Sequence, residues 1–376
     1  MATSRNRIRR SERFIVQSGI HRLKPAALHN TGPPNQRRGV PREWRFPTAA
    51  ELLYDVTMDP QSRIYIAGDT GLVGSALVHT LRARGFARIV TKSHGELDLT
   101  NTSATADFFH AERPDVVFLA AGRVGGILAN DTHPAEFIQQ NLAIEMNVIH
   151  EAWRVGVKEL LFLGSSCIYP RDCPQPIRED YLLSGPLEPT NRAYAVAKIA
   201  GIEMCWSHNR QYGTHYFCVM PTNLYGPNDN YDPESSHVLP ALIRRFHEAK
   251  TRGDRCVTLW GTGAPRREFL YSDDMAAACV LLMQLGPGKR AAIVNADAPP
   301  MINVGCGEDQ TIRELAELVR RVIGTDAQIE WDSTKPDGTP RKQLDIGKLT
   351  ALGWSQTVGL EEGIRRTYAD FVATHG

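Results

Sequence analysis

The sequence predicts an α/β fold: a doubly wound parallel sheet followed by a smaller C-terminal α/β substrate lobe. Three observations carry the prediction. Short, continuous apolar runs recur from Arg63 onward, each separated from the next by a helical period, as strands buried on both faces require. A glycine-spaced loop joins the first run to the first amphipathic stretch. After Met220 the texture changes, with Pro and Asn dense from Pro221 to Pro233, which marks where the chain leaves the first layer.

The elements follow in order. Ile64-Ala67 is the first strand, trailed by a helix over about 72–84; Arg88-Thr91 and Val116-Ala121 are the next two strands. A helix over about 134–155 leads to strand Leu160-Gly164, and a helix around 191–212 to strand Phe217-Met220. This alternation is the doubly wound pattern. Beyond it we expect a helix from about Val238, capped by Ser236, and another around Thr311-Val322. The expected division is 1–60 as a disordered extension, 61–225 as the dinucleotide-type domain, and 226–376 as the second lobe with a strand returning to the first sheet.

Composition narrows the function classes. With 42% hydrophobic and 23% charged positions in 376 residues, collagen, coiled coil and wholesale disorder are excluded. The longest apolar run, Met275 to Met283, falls well short of the roughly 20 residues a membrane span needs. Lys plus Arg (43) nearly cancels Asp plus Glu (42), so the global charge selects neither nucleic acid nor membrane as partner. The first fifty residues differ, with eleven basic side chains against two acidic. That segment reads as a disordered extension, as sequence upstream of a true start at Met58, or as an organelle-targeting segment. Seven scattered cysteines without CxxC or metal-ligand spacing predict a reducing, cytoplasmic setting and no metal.

Gly68-Asp69-Thr70-Gly71-Leu72-Val73-Gly74 stands between a strand and a helix, the context in which such glycines admit a pyrophosphate to a helix N-terminus. This is the Rossmann arrangement, and it predicts a dinucleotide. The second strand ends in Thr91-Lys92-Ser93-His94 without the acid that usually binds the ribose hydroxyls of NAD. Lys92 and Ser93 suit a 2′-phosphate, so the expected cofactor is NADP(H).

Tyr194 and Lys198 are four apart in a helix and share one face. They follow a strand ending Gly164-Ser165-Ser166-Cys167, where the carboxyl ends of a doubly wound sheet place ligands. An ammonium beside a phenol stabilises the phenolate, so Lys198 is expected to lower the Tyr194 pKa and ready it to protonate a carbonyl as hydride arrives. Ser165 and Cys167, two apart at a strand end, face the same side: Ser165 can hydrogen-bond a keto oxygen, and Cys167 can exchange a proton at a neighbouring carbon or be a buried structural thiol. His237 opens a helix carrying Arg244 and Arg245; it is a candidate acid or a plain exposed histidine. Arg245, Arg266 and Arg267 with Trp260 suit a diphosphate and a stacked base, or form a solvated basic face.

Longer motifs then carry a resemblance. The glycine loop, Ala120-Ala121-Gly122-Arg123-Val124-Gly125-Gly126-Ile127 with Asn130, Leu163-Gly164-Ser165-Ser166-Cys167-Ile168-Tyr169-Pro170, Leu187-Glu188-Pro189-Thr190, Tyr194-Ala195-Val196-Ala197-Lys198, Pro221-Thr222-Asn223-Leu224-Tyr225-Gly226-Pro227 and Lys335-Pro336-Asp337-Gly338-Thr339-Pro340-Arg341-Lys342 together resemble the GDP-L-fucose synthases. These are epimerase-reductases of the extended short-chain dehydrogenase/reductase superfamily. The resemblance runs from about Arg63 to the C-terminus. It implies conversion of GDP-4-keto-6-deoxy-D-mannose to GDP-L-fucose, by epimerisation at C3 and C5 and then NADPH-dependent reduction at C4. Residue by residue it implies a reductase triad of Ser165, Tyr194 and Lys198, with Cys167 and His237 exchanging protons. Gly68, Gly71, Leu72, Val73, Gly74, Lys92, Leu163, Gly164, Ser165, Ser166, Lys198, Pro221, Thr222, Asn223, Leu224 and His237 would line the NADP site. Arg245, Trp260, Arg267 and Asp337 would contact the GDP-sugar, and the assembly would be a homodimer.

The rival readings are a nucleotide-sugar 4-epimerase, a 4,6-dehydratase, and a non-catalytic NADP-sensing protein. A dehydratase would want an acidic pair where Ser166-Cys167 stands. A sensor commonly loses the Tyr or the Lys, and both are present here.

Overall fold

The computed structural model describes residues 58–335 and 337–375. The expectations of a disordered or targeting segment fall, up to residue 57, outside the described residues. Met58 is inside them and is buried in the first core layer.

Twelve strands are present among the described residues: β1 (Ile64–Ala67), β2 (Ile89–Lys92), β3 (Val116–Leu119), β4 (Glu159–Leu163), β5 (His215–Pro221), β6 (Asn223–Tyr225), β7 (Cys256–Trp260), β8 (Arg266–Tyr271), β9 (Met301–Val304), β10 (Asp309–Thr311), β11 (Gln328–Asp332) and β12 (Arg341–Lys342). The helices are α1 (Leu72–Ala83), α2 (Thr102–Glu112), α3 (Ile127–Thr132), α4 (Pro134–Arg154), α5 (Arg192–Tyr212), α6 (Val238–Arg252), α7 (Ser272–Met283), α8 (Pro287–Arg290), α9 (Ile312–Ile323), α10 (Gly347–Ala351) and α11 (Leu360–His375).

Six parallel strands form the main sheet in the order β2-β1-β3-β4-β5-β9. Alternation along β1 shows why its sequence is apolar throughout. Ile64 and Ile66 pack on one side with Leu77 and Leu81 of α1 and Met275 and Val280 of α7. Tyr65 and Ala67 pack on the other with Phe109 of α2, Val148 and Ile149 of α4 and Ile202 of α5. Strand order reverses between β1 and β3, so a crevice opens there at the carboxyl ends of the strands. Both the glycine loop and the β4 terminus face it.

The remaining strands make two small sheets. β8 pairs with β6, β10 and β12, and β7 pairs with β11. They share a core of α6, α9 and α11 in which Phe246, Leu315, Val319 and Phe371 are buried. Helix α9 starts with a capping box between Thr311 and Glu314. Helix α6 does not start as expected: His237, not Ser236, occupies its N-cap position, without a side-chain cap. Helix α2 lies in a stretch whose apolar periodicity does not announce it; Asn101 caps it by accepting from Ala104 N at 3.1 Å.

Candidate active site

The glycine loop is close-packed on itself. Gly68 has φ +87°, a left-handed conformation that favours glycine. A Cβ on Gly74 would lie 1.9 Å from the Gly68 carbonyl oxygen, so only glycine lets α1 begin so near the strand. At Gly71 a Cβ would meet nothing nearer than that same oxygen at 3.5 Å, which leaves open space over the N-terminus of α1. A pyrophosphate fits such a cradle, with helix N–H groups facing it.

At the end of β2 the geometry departs from the expectation. Lys92 Nζ is paired with Glu96 Oε1 at 3.2 Å, and Glu96 Oε2 accepts from Ser93 N at 2.9 Å and Ser93 Oγ at 2.7 Å. Those bonds, and then Lys92, pull the Glu96 pKa down to about 2. An acid therefore does serve this strand end. It arrives four residues later and folds back, beyond the place where a ribose-binding acid is normally sought.

Beyond β4 a single 3₁₀ turn, Ser166–Ile168, presents Ser165 and Cys167. Ser165 Oγ accepts from Cys167 N at 3.2 Å, which fixes the turn, and also hydrogen-bonds the Tyr194 phenol. Cys167 is half-buried. Its Sγ has Asn191 Nδ2 at 3.3 Å and Lys342 Nζ at 3.6 Å. Neither neighbour was singled out from sequence as a partner of the thiol.

Tyr194 and Lys198 lie on α5 as the spacing requires. Lys198 is buried, donates from Nζ to Leu163 O at 3.0 Å, and lies 4.6 Å from the Phe162 ring centroid and 5.8 Å from that of Tyr194. The expected lowering of the Tyr194 pKa is not what the structure gives. Burial raises it, Cys167 and Glu145 raise it further, and only the Ser165 hydrogen bond opposes them. Burial of the phenol is the largest cause, and the Lys198 ammonium is itself paired with Glu145, on α4, at 3.3 Å.

The glycine-rich stretch after β3 is pinned from below. Asn141 Oδ1 accepts from Arg123 N at 3.1 Å, while its Nδ2 donates to Arg123 O at 3.0 Å and Phe137 O at 2.7 Å. Asn130 Nδ2 donates to Gly125 O and Gly126 O. Gly126 N in turn donates to Ser235 O at 2.8 Å, which brings the segment just before His237 onto this loop. His237 is exposed at the surface of this crevice; partial desolvation, and then the nearby Lys342 ammonium, hold its pKa below the usual imidazole value. Thus Lys342 faces both Cys167 and His237.

Thr222 Oγ1 and Asn223 Nδ2 both donate to Glu268 O, at 3.1 and 2.8 Å, so the stretch from Pro221 to Leu224 ties β5 and β6 to β8. In the second lobe Trp260 is 56% exposed and flanked by two cations, Arg245 at 5.9 Å and Lys335 at 5.4 Å from its ring centroid. Arg267 donates to Thr339 O at 2.6 Å, and burial lowers its pKa while Cys167 and Asp337 oppose that. Asp337 accepts from Thr262 N and Oγ1 at 2.9 and 2.7 Å, which uses one lone pair on each carboxylate oxygen and leaves others. Arg266 is committed to the fold, donating to Asp309. A separate cavity of about 680 Å³, lined by residues including Asp229, Tyr231, Arg244, His247 and Phe371, contains none of the predicted site residues. Among the described residues no group of side chains could hold a metal ion, and no helix is long and apolar enough to cross a membrane.

The chain is similar to known proteins over most of its described length. Residues 64–297 match the NAD dependent epimerase/dehydratase family. GDP-L-fucose synthase 1 of Arabidopsis thaliana is 54% identical over 310 residues, covering 82% of this chain and 93% of that protein. The GDP-L-fucose synthase of Escherichia coli K12 is 52% identical over 315 residues, covering 83% and 97%. Among solved structures, a GDP-L-fucose synthetase from Naegleria fowleri bound to NADP superposes with a TM-score of 0.76 at 26% identity, covering 85% of this chain and 97% of that one. The extent and level of these matches place the chain in the NAD dependent epimerase/dehydratase family and, within it, among the GDP-L-fucose synthases.

Proposed function

We infer that this chain is an NADP-dependent epimerase-reductase that converts GDP-4-keto-6-deoxy-D-mannose to GDP-L-fucose, using the residues gathered at the carboxyl end of β4. The observation that carries the reading is a single cluster holding a phenol, a lysine, a serine and a half-buried thiol. Ser165 bridges Tyr194 and the backbone of Cys167, and Lys342 from the second lobe reaches the thiol.

A ketone at C4 acidifies the hydrogens at C3 and C5, because their loss leaves charge on O4. Ser165 and Tyr194 are the donors that would stabilise that oxygen. Cys167 and His237 would exchange the protons, one on each face of the sugar, with the Lys342 ammonium beside both. The lowered His237 pKa suits a group that must be neutral before it can accept a proton. Gly68, Gly71 and Gly74 would hold NADPH, with Lys92 the cation available to its 2′-phosphate, and the cofactor when bound would supply the hydride for C4. Tyr194 then gives its proton to O4, so one oxygen pocket serves both reactions.

Arg245, Arg267 and Asp337 are assigned to the GDP moiety, with Trp260 as the open aromatic face for the base. The family resemblance carries the homodimer as part of this reading. Incubation with GDP-4-keto-6-deoxymannose and NADPH tests the reading: nicotinamide absorbance should fall in step with GDP-L-fucose formed. A product retaining the manno configuration at C3 and C5 would reduce the activity to C4 reduction alone, and no NADPH oxidation would refute it.

A further inference from the structure

We propose that Glu145 is a positioning residue of the reductase centre, whose carboxylate holds the Lys198 ammonium charged and keeps the Tyr194–Lys198 couple protonated until the ketone takes its proton. The inference rests on the role given above to Tyr194 and Lys198, and it adds a residue that neither touches the sugar nor belongs to the motifs read from sequence.

The geometry is that of a built site. Glu145 and Lys198 are both buried, with side chains 1% and 4% exposed, and stand 3.3 Å apart. No hydrogen bond from any other described residue reaches either carboxylate oxygen. Lys198 is walled by the Phe162 and Tyr194 rings, so Glu145 is its counter-charge. A buried ammonium without one would shed its proton.

Room for the carboxylate is made by Gly201, in the middle of α5 and one turn beyond Lys198. A Cβ there would sit 2.9 Å from Glu145 Oε2 and 2.7 Å from Phe162. Glycine is a poor choice for a helix interior unless something must pass close by, and here the carboxylate does. The titratable groups facing Glu145 are Lys198 and Tyr194 from α5 and the buried thiol of Cys218 from β5. On its own helix the neighbour one turn earlier is the neutral Asn141.

The direction of the effect does not depend on which partner titrates. Burial pushes the Glu145 carboxyl up to about 7, with Lys198 opposing, so it is half ionised near neutral pH and carries its full charge on the alkaline side, where the limb is read. One added negative charge makes proton loss harder from the phenol and from the ammonium alike, and two coupled groups lose protons as a pair. In the reductive direction, the pair must still hold the proton that Tyr194 gives to O4 as hydride reaches C4. The phenolate left behind must then regain a proton before the next turnover.

The test is the pH dependence of kcat for NADPH oxidation with GDP-4-keto-6-deoxymannose, using deuterated NADPH to establish that hydride transfer limits the rate. In Glu145→Gln the alkaline limb should move down by about one pH unit, a rate about tenfold lower at any pH on that limb. Glu145→Asp keeps the charge and should keep the limb where the parent has it, whatever its absolute rate. A limb unmoved in the Gln variant overturns the proposal. If the Gln variant does not fold, a limb displaced downward in the Asp variant overturns it equally. Tyr194→Phe separates the two readings: loss of reduction there together with an unmoved Glu145→Gln limb defeats the role of Glu145 alone, whereas retained reduction defeats the underlying assignment.

Discussion

Replacing Gly71 by alanine should move stability and cofactor affinity in opposite directions. Gly71 has φ −81° and ψ 171°, a conformation alanine adopts without strain. Its added methyl would meet only the Gly68 carbonyl oxygen, at an ordinary 3.5 Å. Removing a glycine from the unfolded chain at such a position stabilises by about 0.4–1 kcal/mol. The same methyl occupies the space assigned to the pyrophosphate, and overpacking of that kind costs about 1–3 kcal/mol. NADPH binding should therefore weaken roughly 5- to 150-fold. Chemical denaturation and fluorescence titration with NADPH measure the two quantities on one preparation. Gly74→Ala is the control: its methyl would fall 1.9 Å from backbone, so both quantities should be lost. A Gly71→Ala protein that is stable and binds NADPH as tightly as the parent would show that the pyrophosphate does not lie over Gly71.

Three further outcomes follow. Cys167→Ser should suppress solvent-deuterium incorporation at C3 and C5 and leave NADPH affinity unchanged; GDP-fucose formed at the parent rate would remove Cys167 from the epimerisation. Glu96→Gln releases Lys92 and Ser93 from a carboxylate that competes for them, so NADPH should bind several-fold more tightly while NADH changes less; equal changes for both would place the 2′-phosphate elsewhere. Burial pushes the Asp229 pKa up to about 7, against an ordinary value near 4, so the folded state holds that proton more tightly than the unfolded chain. Its stabilising contribution is complete below about pH 4 and is lost as pH rises toward 7. Asp229→Asn should accordingly raise Tm at pH 8 and leave it unchanged at pH 4, and a gain at both would mean that charge is not the cause.

What was legible in the sequence is what depends on near neighbours along the chain. β1 shows as four apolar residues because both of its faces are covered, and the Tyr194–Lys198 pair shows because a helix turns four residues back onto one face. Helix α2 escaped because Thr102, Ser103, Ala104 and Thr105 give it little apolar periodicity; it is held by its Asn101 cap and by Phe109 reaching the core. The pairing of Lys92 with Glu96 is hidden in the sequence for a related reason. An acid was sought at the strand end itself, while Glu96 returns to that end through a turn whose hydrogen bonds are local but whose path is not apparent from spacing.

Glu145 marks the limit more sharply. In α4 it reads as one carboxylate among several on a 21-residue amphipathic helix, and charge on such a helix ordinarily faces water. Only the packing of α4 against α5 buries it beside Lys198, and no pattern within either helix specifies that register. The available signal was indirect and lay on the other helix, in a glycine retained one turn past Lys198 where propensity alone favours alanine. A helix-interior glycine near a candidate lysine thus points to a partner arriving from outside the segment. Here that partner is an acid, and its charge is what turns a lysine buried against aromatic rings into a lasting cation beside the phenol.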